Sequence, residues 1–127
     1  MSAVLLDTHA WAWSLTGDNC LTGKAVATIN AADRVMLSPI SFFEIARKVR
    51  LGKWPEMEAF IETLPALLQE QGGTIADLDA EICAAAGMMA WLHRDPFDRL
   101  LAATALRRAI PLVSADTVFD GLAPRVW

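Results

Sequence analysis

Four acids stand in well-separated parts of the chain: Asp7, Glu44, Asp98 and Asp116. Asp7 follows the apolar run Ala3-Val4-Leu5-Leu6, and Asp116 follows Ile110-Pro111-Leu112-Val113-Ser114. Both runs read as buried strands. Glu44 is expected in the first turn of a helix after the short strand 35–37. Asp98 is expected in the first turn of a helix that opens at Pro96. In open α/β sheets, chemistry sits beyond the carboxyl ends of the strands, so the four acids are expected to converge there. An all-carboxylate cluster suits a hard cation such as Mg²⁺ or Mn²⁺ rather than zinc or copper. Such ions leave positions for water and phosphate oxygens, which points to phosphodiester chemistry. Cys20, Cys83, His9 and His93 lack the close-spaced pairs of a zinc site.

Each acid also has a structural reading. Asp7 could cap the helix that follows it. Ser41-Phe42-Phe43-Glu44 fits a capping box, with Glu44 reaching back to the Ser41 amide. Asp95-Pro96-Phe97-Asp98 reads as N-cap, proline at the first helical position and an acid favoured by the helix dipole, with Asp95 the better cap. Asp116 could cap a short turn over 117–120. Shared placement at strand ends is what favours the functional reading.

The elements that must position these acids alternate. Strands are expected at 3–6, 35–37, more weakly at 74–78, at 110–114 and at the edge 125–127. Helices are expected from Thr8, over 22–32, over 41–51 with Gly52 as the stop, and over 56–71 with a division at Pro65. An Ala-rich helix capped by Asp79 should run to about His93, and another from Pro96 to about Arg108. Strands alternating with helices, with no hairpin signal, imply a parallel sheet covered on both faces. No linker, repeat or low-complexity tract divides the chain, so one α/β domain over 1–127 is expected.

The 127 residues are 54% hydrophobic and 20% charged, which excludes a disordered chain. The longest stretch free of Asp, Glu, Lys, Arg and His is 82–92, too short for a bilayer span. Asp7 and His9 interrupt any signal-peptide core, so the two thiols are read as free in a reducing cytoplasm. The net charge of −4 argues against coating nucleic acid by bulk charge, but not against a local metal site.

Four blocks together resemble the PIN-domain ribonucleases, in particular the VapC-type toxins of bacterial toxin–antitoxin pairs. They are Leu5-Leu6-Asp7-Thr8-His9, Ser38-Pro39-Ile40-Ser41-Phe42-Phe43-Glu44-Ile45-Ala46, His93-Arg94-Asp95-Pro96-Phe97-Asp98-Arg99-Leu100-Leu101-Ala102-Ala103-Thr104-Ala105 and Leu112-Val113-Ser114-Ala115-Asp116. The third block is the most specific. The resemblance implies a three-layer α/β/α fold around a mainly parallel sheet of four to five strands. It also implies Mg²⁺- or Mn²⁺-dependent RNA hydrolysis leaving 5′-phosphate and 3′-hydroxyl ends. Asp7 and Asp98 would be the main ligands, Asp116 would complete the site directly or through water, and Glu44 would hold a second metal or orient the attacking water. A small antitoxin bound beside the site and a homodimer are implied as partners. Many relatives carry Asp-x-Ser or Asp-x-Asn where this chain has Asp7-Thr8-His9, so His9 replaces that third side chain.

Around the acids, Arg47, Lys48, Arg50 and Lys53 either guide RNA phosphates or form a solvated face with cations near a helix C-terminus. Arg99 is expected to pair with a carboxylate. Ser114 either bonds a ligand or water or is an ordinary strand-end serine. His9 and His93 are read as making local hydrogen bonds. Trp11, Trp13, Trp54 and Trp91 are candidates for the core. Trp11 and Trp13 point to different helix faces, which leaves Trp13, Phe43 or Trp54 as an alternative lining for a partner groove. Two rival readings remain. A phosphorelay receiver needs an acid pair after the first strand and a phospho-acceptor Asp after a central one, whereas Asp7 stands alone and the second strand leads into Ser38-Pro39. An inactive PIN-like fold that only binds RNA or protein is disfavoured by the presence of all four acids.

Overall fold

The computed structural model describes residues 2–127. Five short strands, β1 (Ala3–Leu6), β2 (Arg34–Leu37), β3 (Thr74–Ile75), β4 (Leu112–Val113) and β5 (Arg125–Val126), lie in the order β3-β2-β1-β4-β5. Every pairing is parallel, with Leu5 opposite both Met36 and Leu112. The chain winds outward from β1 through β2 to β3, then crosses back to build β4 and β5 on the other side. The winding therefore reverses between β1 and β4, the place where such sheets open a crevice at their carboxyl edge.

Side chains alternate along each strand, and the two faces are covered separately. Val4 and Leu6 of β1, Leu37 of β2 and Val113 of β4 pack on one face. Their cover is α1 (Thr8–Thr16), α2 (Gly23–Ala31), α3 (Pro39–Arg50), the 3₁₀ segment Pro55–Thr63 and α4 (Leu64–Glu70), through Trp11, Ala25, Ile45, Met57 and Leu68. Leu5, Met36 and Leu112 point to the other face, against Leu101, Ala102 and Ala105 of α6 (Pro96–Arg108). Helix α5 (Ala80–Met88) packs on α6 through Ile82, Ala86 and Ala103. The result is the three-layer α/β/α arrangement, with an all-parallel sheet of five strands. No helix among the described residues is long and apolar enough to cross a membrane.

Trp11 anchors the first layer. It is fully buried, and its Nε1 donates to Gln71 Oε1 at 2.8 Å, so the indole loses no hydrogen bond by leaving water. Of the other tryptophans proposed for the core, Trp13, Trp54 and Trp91 are only partly buried.

Several boundaries differ from expectation. Helix α3 opens at Pro39, because Ser38 rather than Ser41 caps it, accepting from the Ile40 amide at 3.2 Å. Ser41 lies inside the helix, buried, with its hydroxyl 2.9 Å from that of Thr8. Glu44 is consequently beyond the first turn and takes no part in a capping box. The 56–71 region divides near Pro65, as that residue's missing N–H demands, but its first half is 3₁₀ rather than α. Strands β3 and β4 are shorter than 74–78 and 110–114.

The largest departure is at α5, which ends at Met88 instead of near His93. Arg99 explains the change. Its Nε donates to Ala86 O at 2.9 Å, Nη2 to Met89 O at 2.6 Å, and Nη1 to Trp91 O and His93 O at 2.7 and 2.9 Å. A planar guanidinium with five donors satisfies carbonyls that helix geometry would have turned elsewhere. The chain over 89–95 is thus wrapped around Arg99, which pairs with these carbonyls rather than with a carboxylate as expected.

Candidate metal site at the carboxyl edge of the sheet

Asp7 immediately follows β1 and is 8% exposed. Its carboxylate caps α1, accepting from the Ala10 amide at 2.7 Å. Across the winding reversal, Asp116 follows β4 and caps the 3₁₀ turn Thr117–Phe119, accepting from Val118 N at 3.0 Å. The Asp116 amide in turn donates to Ser114 Oγ at 3.0 Å. Arg125 braces this corner, donating to Ser114 O at 3.1 Å and to both carboxylate oxygens of Asp120. The capping roles proposed for Asp7 and Asp116 are therefore real, and both residues also line a cavity at this edge.

On α6 the two acids divide. Asp95 is the N-cap, with Oδ1 accepting from the amides of Phe97 and Asp98 at 2.8 and 3.3 Å. Asp98, in the first turn, places Oδ2 2.6 Å from His93 Nε2. From α3, Glu44 pairs with Lys48 at 3.1 Å. Asp7, Glu44, Asp98 and Asp116 all line one cavity of about 440 Å³, together with Asp95, His9, Trp13 and Lys48. The His93, Asp95 and Asp98 ligand atoms all lie within 4.8 Å of one another.

The electrostatics follow from burial. Asp7 is pushed up to about 6, chiefly by removal from water, with the nearby Glu44 and Asp98 charges adding to the rise. The Ser114 hydroxyl and the Ala10 amide pull the other way. Asp98 is also raised, first by burial, against the pull of its His93 hydrogen bond. His9, an exposed residue whose ring is partly withdrawn from water by its aromatic neighbours, is lowered first by that desolvation and then by the Lys48 charge. Asp7 has no Lys or Arg salt bridge among the described residues. A desolvated carboxylate facing other acids, with oxygen donors around it, fits a hard divalent cation.

His93 makes the local hydrogen bond expected of it, with Asp98 as its partner. Trp13, one of the aromatics offered as groove lining, does line the cavity. Sequence reasoning missed the pairing of His9 with Trp54. His9 stacks on Trp54 at a centroid distance of 4.6 Å and an interplanar angle of 27°. The Asp7-Thr8-His9 motif marked position 9 as unusual, but nothing local to it signals Trp54.

A family model described as "PIN domain" matches residues 4–123. The chain is 30% identical over 118 residues to Ribonuclease VapC22 of Mycobacterium tuberculosis, covering 91% of this chain and 88% of that protein. Among solved structures, it is similar to VapBC2 of Rickettsia felis bound to a promoter DNA fragment, with a TM-score of 0.67 at 17% identity, over 97% of this chain and 96% of that one. It is also similar to a toxin–antitoxin complex from Klebsiella pneumoniae, with a TM-score of 0.65 at 16% identity, over 98% and 96% of the two chains. A third likeness is to VapC20 of Mycobacterium tuberculosis, a sarcin–ricin-loop-cleaving toxin, with a TM-score of 0.62 at 16% identity over 94% and 96%. At these identities the structural likenesses carry the fold.

Proposed function

This chain belongs to the PIN-domain family, and on that premise we propose that it is a divalent-metal-dependent endoribonuclease, the toxin of a toxin–antitoxin pair. One observation carries the reading: acids from the end of β1, from α3, from α6 and from the end of β4 line a single cavity. Asp7 and Asp98 would hold Mg²⁺ or Mn²⁺, with Asp116 completing the set directly or through water. The bound ion supplies a lowered pKa for water and neutralises charge building on the scissile phosphate. Glu44 orients the attacking water or holds a second ion, and its bond to Lys48 restrains the carboxylate. Asp95 caps the helix through Oδ1 while also lining the cavity, and Ser114 steadies both Asp7 and the Asp116 amide.

Relatives in toxin–antitoxin complexes support a small antitoxin as partner, and a basic side chain offered by it would meet the four acids. Phe43, 58% exposed, meets Phe97 at a 6.0 Å centroid distance, an exposed aromatic pair suited to a homodimer contact. The unpaired thiols Cys20 and Cys83 suit a cytoplasmic setting, where RNA is available.

The test is cleavage of total cellular RNA by purified protein with Mg²⁺ or Mn²⁺, with EDTA, and with Asp98→Asn. Cleavage should need the ion and vanish in the variant. Equal cutting in EDTA would sink the metal mechanism, and no cutting under any condition would favour the binding-only reading.

A further inference from the structure

We propose that the His9 ring, backed by Trp54 and flanked by Trp13, is a stacking platform for an unpaired nucleobase of the RNA beside the scissile phosphate. The proposal rests on the ribonuclease reading and adds how the substrate is gripped. His9 is exposed and lines the same cavity as the four acids. Its ring is held nearly parallel to that of Trp54, while Trp13 meets it at 53° and 5.6 Å, forming a corner. Trp127 supports Trp13 from behind at 5.7 Å. Next to it in sequence, the buried Thr8–Ser41 hydroxyl contact ties the start of α1 to α3.

The neighbouring charge favours a nucleotide. Lys48 also lines the cavity, with Nζ 3.1 Å from Glu44 and 5.3 Å from the centre of the Trp54 ring. A cation thus lies between the acids and the aromatic wall, where the sugar–phosphate would pass from one to the other. Every base presents a π-face, so such a wall grips single-stranded RNA with little sequence demand, whereas a paired base is already stacked in its helix. An RNA is preferred to a peptide because the wall is continuous with the cavity assigned to the phosphate.

The experiment uses the full chain in Ca²⁺, with RNA integrity checked on a gel. Binding is measured by anisotropy for a short labelled single-stranded RNA of random sequence and for an abasic ribose-phosphate chain of equal length and label. The wild-type protein should prefer the base-bearing probe about five-fold or more. His9→Asn should erase most of that preference with an unchanged circular dichroism spectrum and melt. His9→Phe, which keeps a ring but no ring nitrogen, should retain it. Full preference in a folded His9→Asn protein, or equal loss in His9→Phe, would overturn stacking. No preference in the wild type would overturn it too, and leave the wall to a protein contact. Cleavage with Mg²⁺ or Mn²⁺ is scored separately: a protein that discriminates between the probes but never cuts keeps the platform and loses the ribonuclease reading.

Discussion

Asp95 accepts the backbone amide of Asp98 at 3.3 Å, so two acids on one turn of α6 hold different positions. One is turned back onto the helix end. The other bonds to His93, and both acids line the cavity. The run Asp95-Pro96-Phe97-Asp98 therefore serves stability through Asp95 and, on the proposed reading, chemistry through Asp98.

That division predicts opposite outcomes for two substitutions. Asp95→Ala should lose about 0.5–2 kcal/mol as a missing N-cap and keep much of the activity. Asp98→Asn should abolish RNA cleavage, yet leave the metal-free protein equally stable or slightly more stable, because burial and the neighbouring Asp95 and Asp116 charges disfavour the ionised acid. Thermal melts in EDTA beside a cleavage assay decide it. A fully active Asp98→Asn with a dead but stable Asp95→Ala would reverse the assignment.

Asp7 makes metal-free stability depend on pH. Its folded-state value of about 6 lies above the ordinary 3.8, so the native state holds this proton more tightly than the unfolded chain. The stability it adds is fully present below about 3.8 and is lost as pH rises through about 6. Asp7→Asn cannot lose that proton, so relative to wild type it should gain on the order of 2–3 kcal/mol between pH 4 and pH 7 in EDTA. Denaturant titrations across that range measure the difference. A constant offset at every pH would show that Asp7 ionises as freely as in water.

Metal addition should act in the opposite sense. Mg²⁺ or Mn²⁺ should raise the wild-type melting temperature at neutral pH, since an ion bound only by the native state stabilises it by mass action. The shift should shrink sharply in Asp7→Asn. Equal shifts in both proteins would place the ion elsewhere.

Arg99 is predicted to be structural. Arg99→Met leaves the carbonyls of Ala86, Met89, Trp91 and His93 without their donor, at a cost of about 2–4 kcal/mol. Arg99→Lys should recover little, because a single ammonium cannot reach all four. Hydrogen exchange over 89–95 should quicken in both variants. Wild-type exchange in Arg99→Met would mean that the segment holds its shape without the guanidinium.

In cells, expression of this chain should arrest growth, and a small co-expressed antitoxin should relieve the arrest. Asp98→Asn should not arrest. Unimpaired growth with abundant folded wild-type protein would count against the toxin role.

Much of this was legible in the chain itself, because the signals were local. Ala3-Val4-Leu5-Leu6 before Asp7 announces a strand and a cap within five residues. Asp95-Pro96 announces the start of α6, and Asp79 that of α5, through side-chain bonds to amides only two or three residues away. Alternation of such runs determines a parallel sheet and brings acids at strand ends to one edge. What tertiary structure alone decided involves partners distant along the chain. Arg99 reaches back as far as Ala86 and ends α5 early, against that helix's own alanine-rich preference. His9 meets Trp54, and Thr8 meets Ser41, only after α1 and α3 pack on the same face of the sheet. Propensity and capping act between neighbours in sequence, whereas a guanidinium wrapped by carbonyls or two stacked rings exist only once packing has chosen which distant segments touch.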